Sequence, residues 1–110
     1  MQMIVLKVDG KEIALTEDQA FAYNEPGLRG VLVTLYEAEK GAVKASSTRV
    51  SDALGEPPST VRDRLRRLAL HGLVVRKPDK TYELTDAGRR LADAILKEEK
   101  TLKAKEGEEK

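Results

Sequence analysis

Between Ser59 and Arg67 the chain sets two hydroxyls and a valine ahead of a dense run of guanidinium groups: Arg62, Arg64, Arg66 and Arg67. A guanidinium is a planar fork of five N–H donors that stays charged at any pH a protein meets. The fork matches the oxygens of a phosphate and the O6/N7 edge of a guanine. Only Asp63 opposes the four cations within this stretch. The chemistry available here is recognition of an anionic or acceptor-rich surface, not bond making.

Covalent chemistry has little to draw on. Serines and threonines are frequent, but His71 is the only histidine and no Ser–His–Asp arrangement can be justified, so no catalytic residues are assigned and an enzyme is not expected. With no cysteine, a zinc site would need mostly carboxylates, and neither a metal nor another cofactor is expected. "DALGEPPS" lacks the Gly-Lys-Ser/Thr ending of a phosphate loop. His71 beside Gly72 reads as a helix C-terminal residue favoured by the dipole.

The net charge of +1 conceals a division along the 110 residues. Residues 1–43 carry −3, residues 44–80 carry +5 and residues 81–110 carry −1. A cationic middle third points to a polyanionic partner. The apolar runs are far shorter than the roughly 20 residues of a membrane span, so no membrane partner is expected. "MQMIVLKVDG" has no basic region before its apolar run and no small-residue cleavage site, and with the lack of cysteine this fits a cytoplasmic protein.

The elements that must hold the arginines can be read in order. "MIVLKV", Asp9-Gly10 and "KEIAL" predict a β-hairpin around a two-residue turn. Thr16 to Gln19 fits a capping box opening a short helix from Glu17 to Tyr23. A longer helix begins near Pro26 and ends at Gly41, with Leu28, Val31, Leu32 and Leu35 on one face. "AVKASS" reads as a brief strand ending in a cap, with Ser46 or Ser47 opening the helix 47–54. Val50 and Leu54 form its inward pair and Gly55 its stop. After "EPP", Ser59 is expected to cap the helix carrying the arginines, which runs to Gly72. "LVVRKPDKTYELT" predicts a second hairpin over 73–84, and Thr85 caps a last helix. The organisation expected is 1–23 for the hairpin and short helix, 24–104 for the main domain and 105–110 for a charged disordered tail.

On a helix turning about 100° per residue, Val61, Leu65 and Leu68 fall within about 60° of one another and define the buried side. Ser59, Asp63, Arg66 and Arg67 lie roughly opposite, with Arg62 and Arg64 on the shoulders. Leu70 also points outward, which is unusual for a face made for nucleic acid. A helix of this width fits the DNA major groove.

The segment "SSTRVSDALGEPPSTVRDRLRRLALHGLVVRKPDKTYELTDAGRRLADAI" resembles the winged helix-turn-helix regulators of the MarR, PadR or ArsR type. "STV" opening the arginine helix, "LRRLALHGLVVR" leading into the wing and "ELTDAG" starting the last helix carry the resemblance. It covers residues 42–96, and residues 26–41 as the first helix. It implies an α+β, mostly helical fold, a winged helix-turn-helix, to which the N-terminal β-hairpin read from the residues around Asp9-Gly10 is an addition with no counterpart in the family's core. It implies that Ser59, Thr60, Arg62, Asp63, Arg66 and Arg67 contact DNA from the recognition helix, 59–71, and Arg76, Lys77 and Lys80 from the wing, 73–84. The wing turn is short, which limits its reach.

The preceding helix would cross the DNA backbone and donate from Ser47, Thr48 and Arg49. Sequence-specific binding of double-stranded DNA, as a transcriptional regulator, is the function expected. The alternative is a winged-helix protein–protein interaction module in a larger assembly, to which Leu70, the extra hairpin and the near-neutral charge point. The last helix carries Ala87, Leu91, Ile95 and Leu102 in a stripe that outlasts the domain's own core. A homodimer through that helix, with the N-terminal hairpin as a second contact, is therefore expected.

Overall fold

The computed structural model describes the backbone of residues 4–108 and the side chains of residues 4–98. Two strands, β1 (Val5–Val8) and β2 (Lys11–Ala14), form the N-terminal hairpin. Asp9 and Gly10 both adopt positive φ, 51° and 78°, the geometry a two-residue turn between twisted strands requires. Leu6 and Val8 are buried and β1 packs against the last helix. Every residue of β2 is exposed. The hairpin is thus a ledge on the core.

Helix α1 (Glu17–Tyr23) opens with the expected capping box: Thr16 Oγ1 accepts from Gln19 N–H, and Gln19 Oε1 accepts from Thr16 N–H. Helix α2 (Pro26–Lys40) buries Leu28, Val31, Leu32 and Leu35. The short β3 (Ala45–Ser46) leads into α3 (Ser47–Leu54), capped by Ser46, whose Oγ accepts from Arg49 N–H at 3.2 Å. Gly55 closes α3 in the left-handed conformation, φ 66°. Val50 is fully buried, but Leu54 is only half-buried. The second inward residue is Ser51, whose hydroxyl is satisfied by donating to the Glu56 carbonyl.

Helix α4 (Pro58–Leu70) starts one residue earlier than expected, and Ser59 is not its cap. Pro57 holds the cap position and Pro58 the first helical one, where a missing N–H costs nothing because that donor would be unpaired anyway. Ser59 sits instead in the first turn with its side chain exposed. The helix ends at Leu70. His71 and Gly72, φ 73°, turn the chain out, so the two residues assigned to the helix end belong to the cap. His71 also does more than sit in the dipole. Its ring stacks on Phe21 at 4.0 Å between centroids, and its Nδ1 lies 2.8 Å from Asp18 Oδ1, tying the end of α4 to α1.

The second hairpin comprises β4 (Val74–Arg76) and β5 (Thr81–Leu84), and β3 adds to the free side of β5. The result is a three-stranded antiparallel sheet in the order β3-β5-β4, so the hairpin is anchored at its root by the strand preceding α3. Helix α5 (Asp86–Glu108) lies across α2, β1 and β5. Of the tail expected to be disordered from 105, residues 105–108 continue the helix to Glu108. Residues 109 and 110 lie outside the described residues, as does the side chain of Leu102. Among the described residues no helix is long and apolar enough to cross a membrane.

One core joins these elements. Val61, Leu65 and Leu68 of α4 are fully buried together with Leu28, Val31, Leu32, Val50, Leu73 and Leu91. Helix α5 is fastened where α4 meets the hairpin. Thr85 Oγ1 accepts from Gly88 N–H and donates to the Gly72 carbonyl at 2.7 Å, while Thr85 N–H donates to the Leu73 carbonyl at 3.0 Å. A Cβ on Gly88 would fall onto that Leu73 carbonyl oxygen. Gly88→Ala is therefore expected to lower stability by about 3 kcal/mol or more, seen as a thermal midpoint well below wild type, since backbone cannot give way as a side chain can. A melt matching wild type would show that this junction is loose.

Candidate nucleic-acid interface

With Val61, Leu65 and Leu68 facing the core, the other side of α4 is presented to solvent next to the β4–β5 hairpin. Ser59, Arg62, Asp63, Arg66 and Ala69 of the helix face Arg76 and Tyr82 of the hairpin across an open cleft of about 430 Å³. Strand alternation puts Arg76 on this side: Val74 and Leu84, which pair with each other, turn to the core, and the next inward-facing pair is Arg76 with Tyr82. The cleft thus carries three cations and one carboxylate. Arg62 and Arg76 are exposed and make no ion pair with other described residues.

The other arginines are partly engaged within the chain. Arg66 Nη2 lies 3.1 Å from Asp63 Oδ1, and Arg67 Nε lies 3.2 Å from Asp63 Oδ2. Arg67 also reaches Glu25 Oε2 at 3.3 Å. Arg64 is turned from the cleft, packs its guanidinium against Gly27 and pairs with Glu56 at 3.2 Å. These pairs do not cover the ridge. The Arg66 side chain is 73% exposed, so most of its N–H donors stay open to an acceptor on a partner while one is held by Asp63.

Not every residue singled out in the sequence meets in this cleft. Thr60 is half-buried and Arg67 faces the start of α2. Ser47 is half-buried, and Thr48 and Arg49 line a separate hollow at the start of α3 with Ser46, Asp52 and Ala53. Lys77 lies on the hairpin's other face, paired with Glu83 at 3.0 Å. Lys80 occupies the hairpin tip, exposed and with φ 68°. Tyr82 and Ala69 were not anticipated. The signal for Tyr82 was present, two residues before Leu84 and so on the same face of β5. Leu70 is 81% exposed, as the wheel required.

The tip is short but braced. Asp79 Oδ1 accepts from Thr81 N–H at 3.1 Å and from the Thr81 hydroxyl at 2.6 Å, and Lys44 reaches Oδ2 at 3.3 Å. These bonds to the charged form, those of Thr81 first, hold the Asp79 carboxyl down at about 2. A helix-turn-helix formed by α3 and α4, followed by a braced β-hairpin rooted in a three-stranded sheet, decides the architecture. The fold is a winged helix-turn-helix.

Comparison with known proteins agrees. Residues 29–82 of this winged helix-turn-helix match the iron dependent repressor N-terminal DNA binding domain. The diphtheria toxin repressors of Corynebacterium diphtheriae and Corynebacterium glutamicum are each 33% identical to it over 66 residues, 60% of this chain and 29% of theirs. The chain therefore spans less than a third of the length of these curated relatives. Among solved structures, the transcriptional regulator Tm0710 of Thermotoga maritima superposes with a TM-score of 0.61 at 20% identity, covering 84% of this chain and 69% of its own. MepR of Staphylococcus aureus, a transcription regulator of the multidrug efflux pump MepA, gives 0.59 at 21% identity over 87% of this chain and 65% of its own. At such identities the likeness is one of fold. The N-terminal hairpin lies outside the segment matched by the repressor domain.

The bracing of the tip has a pH signature. A carboxyl depressed in the folded state contributes stability that is fully present above its unfolded value near 3.8 and is lost as pH falls through about 2. NMR titration of the Asp79 side chain is expected to give a midpoint near 2, moving up towards 3.8 in Thr81→Val, which deletes the hydroxyl donor. A midpoint already at the ordinary carboxylate value in wild type would contradict the bracing.

Proposed function

We propose that this chain is a double-stranded DNA-binding transcriptional regulator of the cytoplasm. In this reading α4 enters the major groove, and the wing, β4 to β5, lies on the adjacent backbone or minor groove. The observation that carries the reading is the cleft in which Ser59, Arg62 and Arg66 converge with Arg76, solvent-open along its length and backed by a rigid apolar core. The match of residues 29–82 to a DNA binding domain supports it, and so does the fold shared with MepR, for which a DNA complex is known.

Within this proposal the residues divide by reach. Ser59, Arg62, Asp63 and Arg66 face base edges, with Thr60 and Arg67 at the margins of the helix. Ser47, Thr48 and Arg49 meet the phosphates that flank the groove, as a first helix of a helix-turn-helix does. Arg76, Lys77 and Lys80 meet the backbone beside the wing. Leu70 lies in line with Asp63 and Arg66, and an apolar side chain on that line suits a thymine methyl as well as it suits a protein partner. The chain acts as a homodimer joined through the far part of α5, with the exposed β2 as an additional contact. The support is a helix continuing to Glu108 after its buried residues end at Ile95 among those described. Occlusion of a promoter by such a dimer is the simplest mechanism.

Iron, named in the matched family, finds no fitting donor set among the described residues. The chain has no cysteine, and His71, its one histidine, is committed to Asp18 and Phe21. Among the described residues no three His, Asp or Glu side chains gather as a metal-holding group. No step of the proposed binding is routed through a metal, and excess chelator is expected to leave DNA affinity unchanged.

Titration against duplex DNA tests the proposal. If each copy neutralises about four to six phosphates, log K falls with log salt at a slope near −4 to −5. Arg62→Ala or Arg66→Ala is expected to lose about 1–3 kcal/mol on a duplex selected from a random pool and to alter the base preference, whereas Lys80→Ala weakens all duplexes alike. Absence of binding to any duplex at tens of micromolar protein and low salt, within the usual nonspecific range of about 1–100 µM, would remove the reading. Light scattering is expected to give twice the chain mass, and a monomer at micromolar concentration would remove the dimer alone.

A further inference from the structure

The carboxylate in the middle of a cationic face needs a reason. A negative charge on a surface meant for a polyanion weakens every phosphate contact around it, so Asp63 lowers affinity unless it improves something else. Its surroundings indicate what that is. Asp63 Oδ1 takes one N–H from Arg66 Nη2 at 3.1 Å, and Oδ2 takes the Nε of Arg67 at 3.2 Å. The carboxylate is pinned between two guanidinium groups, and Arg67 is itself steadied by Glu25 at 3.3 Å. Asp63 thus has both oxygens used and a defined orientation, with 44% of its side chain exposed in the cleft.

Arg66 is held by a single contact at one end of its fork. Its Nη1 and Nε make no ion pair with the described residues, and the side chain remains 73% exposed. Phosphate attraction depends on net charge and acts over about 10 Å at 0.1 M salt. With a carboxylate against it, the guanidinium has much of that monopole cancelled. Its N–H donors keep their direction. They suit neutral acceptors at short range, and the O6 and N7 of a guanine are such acceptors. Fixing the fork before binding also removes part of the ordering cost.

Resting on the proposed DNA-binding function, we infer that Asp63 is a positioning residue that makes Arg66 a guanine reader and a poor phosphate ligand. The residue exchanges general affinity for discrimination. Arg76, exposed and without an ion pair among the described residues, is left to supply the nonspecific attraction beside the wing.

Fluorescence anisotropy of wild type, Asp63→Ala and Asp63→Asn against a random-sequence duplex and a pool-selected duplex, each across a salt series, tests this. Asp63→Asn removes the charge and Asp63→Ala the whole carboxylate from a half-exposed site, and circular dichroism melts check that both fold. Each is expected to bind random duplex several-fold more tightly than wild type. The log–log salt slope should be steeper by about one, because one more cation meets a phosphate. The preference for the selected duplex should fall by about fivefold or more. Adding Arg66→Ala to Asp63→Ala should return the slope to that of wild type. Variants that match wild type in random-duplex affinity, or that keep its preference, would overturn the inference. So would a double variant whose slope stays steep. A wild type that binds no duplex overturns the DNA-binding proposal instead, so the two failures are distinguishable.

Discussion

The structure depends on one amphipathic constraint: α4 must bury Val61, Leu65 and Leu68 against Leu28, Val31 and Leu32 of α2 and their neighbours. Fully burying an aliphatic side chain is worth about 1.5–3 kcal/mol, so a rotation of α4 that exposed all three would lose a large part of a small domain's stability. The helix is therefore fixed in azimuth. Its opposite side, with Ser59, Asp63 and Arg66, faces outward because the apolar stripe leaves it no other direction.

The wing obeys the same logic in a different periodicity. Val74 and Leu84 are pulled to the core, and a strand turns successive side chains to opposite faces. Arg76 and Tyr82, each two residues from a buried partner, must then line the side next to α4. Strand β3 holds Thr81 and Tyr82 from the other edge, so a short hairpin keeps its place without a long ladder. Two aliphatic patterns, one of period near 3.6 and one of period 2, bring the cationic groups of two distant segments to one cleft.

Much of this was legible in the chain itself. The Asp9-Gly10 turn, the Thr16 capping box, the Ser46 and Gly55 ends of α3 and the buried stripe of α4 all follow from local rules, and they stand where those rules put them. What local rules miss is competition and reach. Ser59 is a good cap in isolation, but Pro58 takes the first helical position and displaces it. A wheel gives an angle for Arg64 and not its length, and the long side chain swings over Gly27 to Glu56. Lys77 looked equivalent to Arg76, yet neighbouring strand positions face apart. The tail from residue 105 reads as a loose terminus, yet the helix runs on through it to Glu108.

The junction at Leu73 has a mechanical meaning. The carbonyl of Leu73 receives the Thr85 N–H and lies against Gly88 with no room for a methyl, while Arg89 Nη2 donates to the Leu84 carbonyl at 3.3 Å. The first turn of α5 is thus bolted to the base of both wing strands. The start of α5 and the base of the hairpin therefore share one set of backbone bonds, so neither can shift without straining the other.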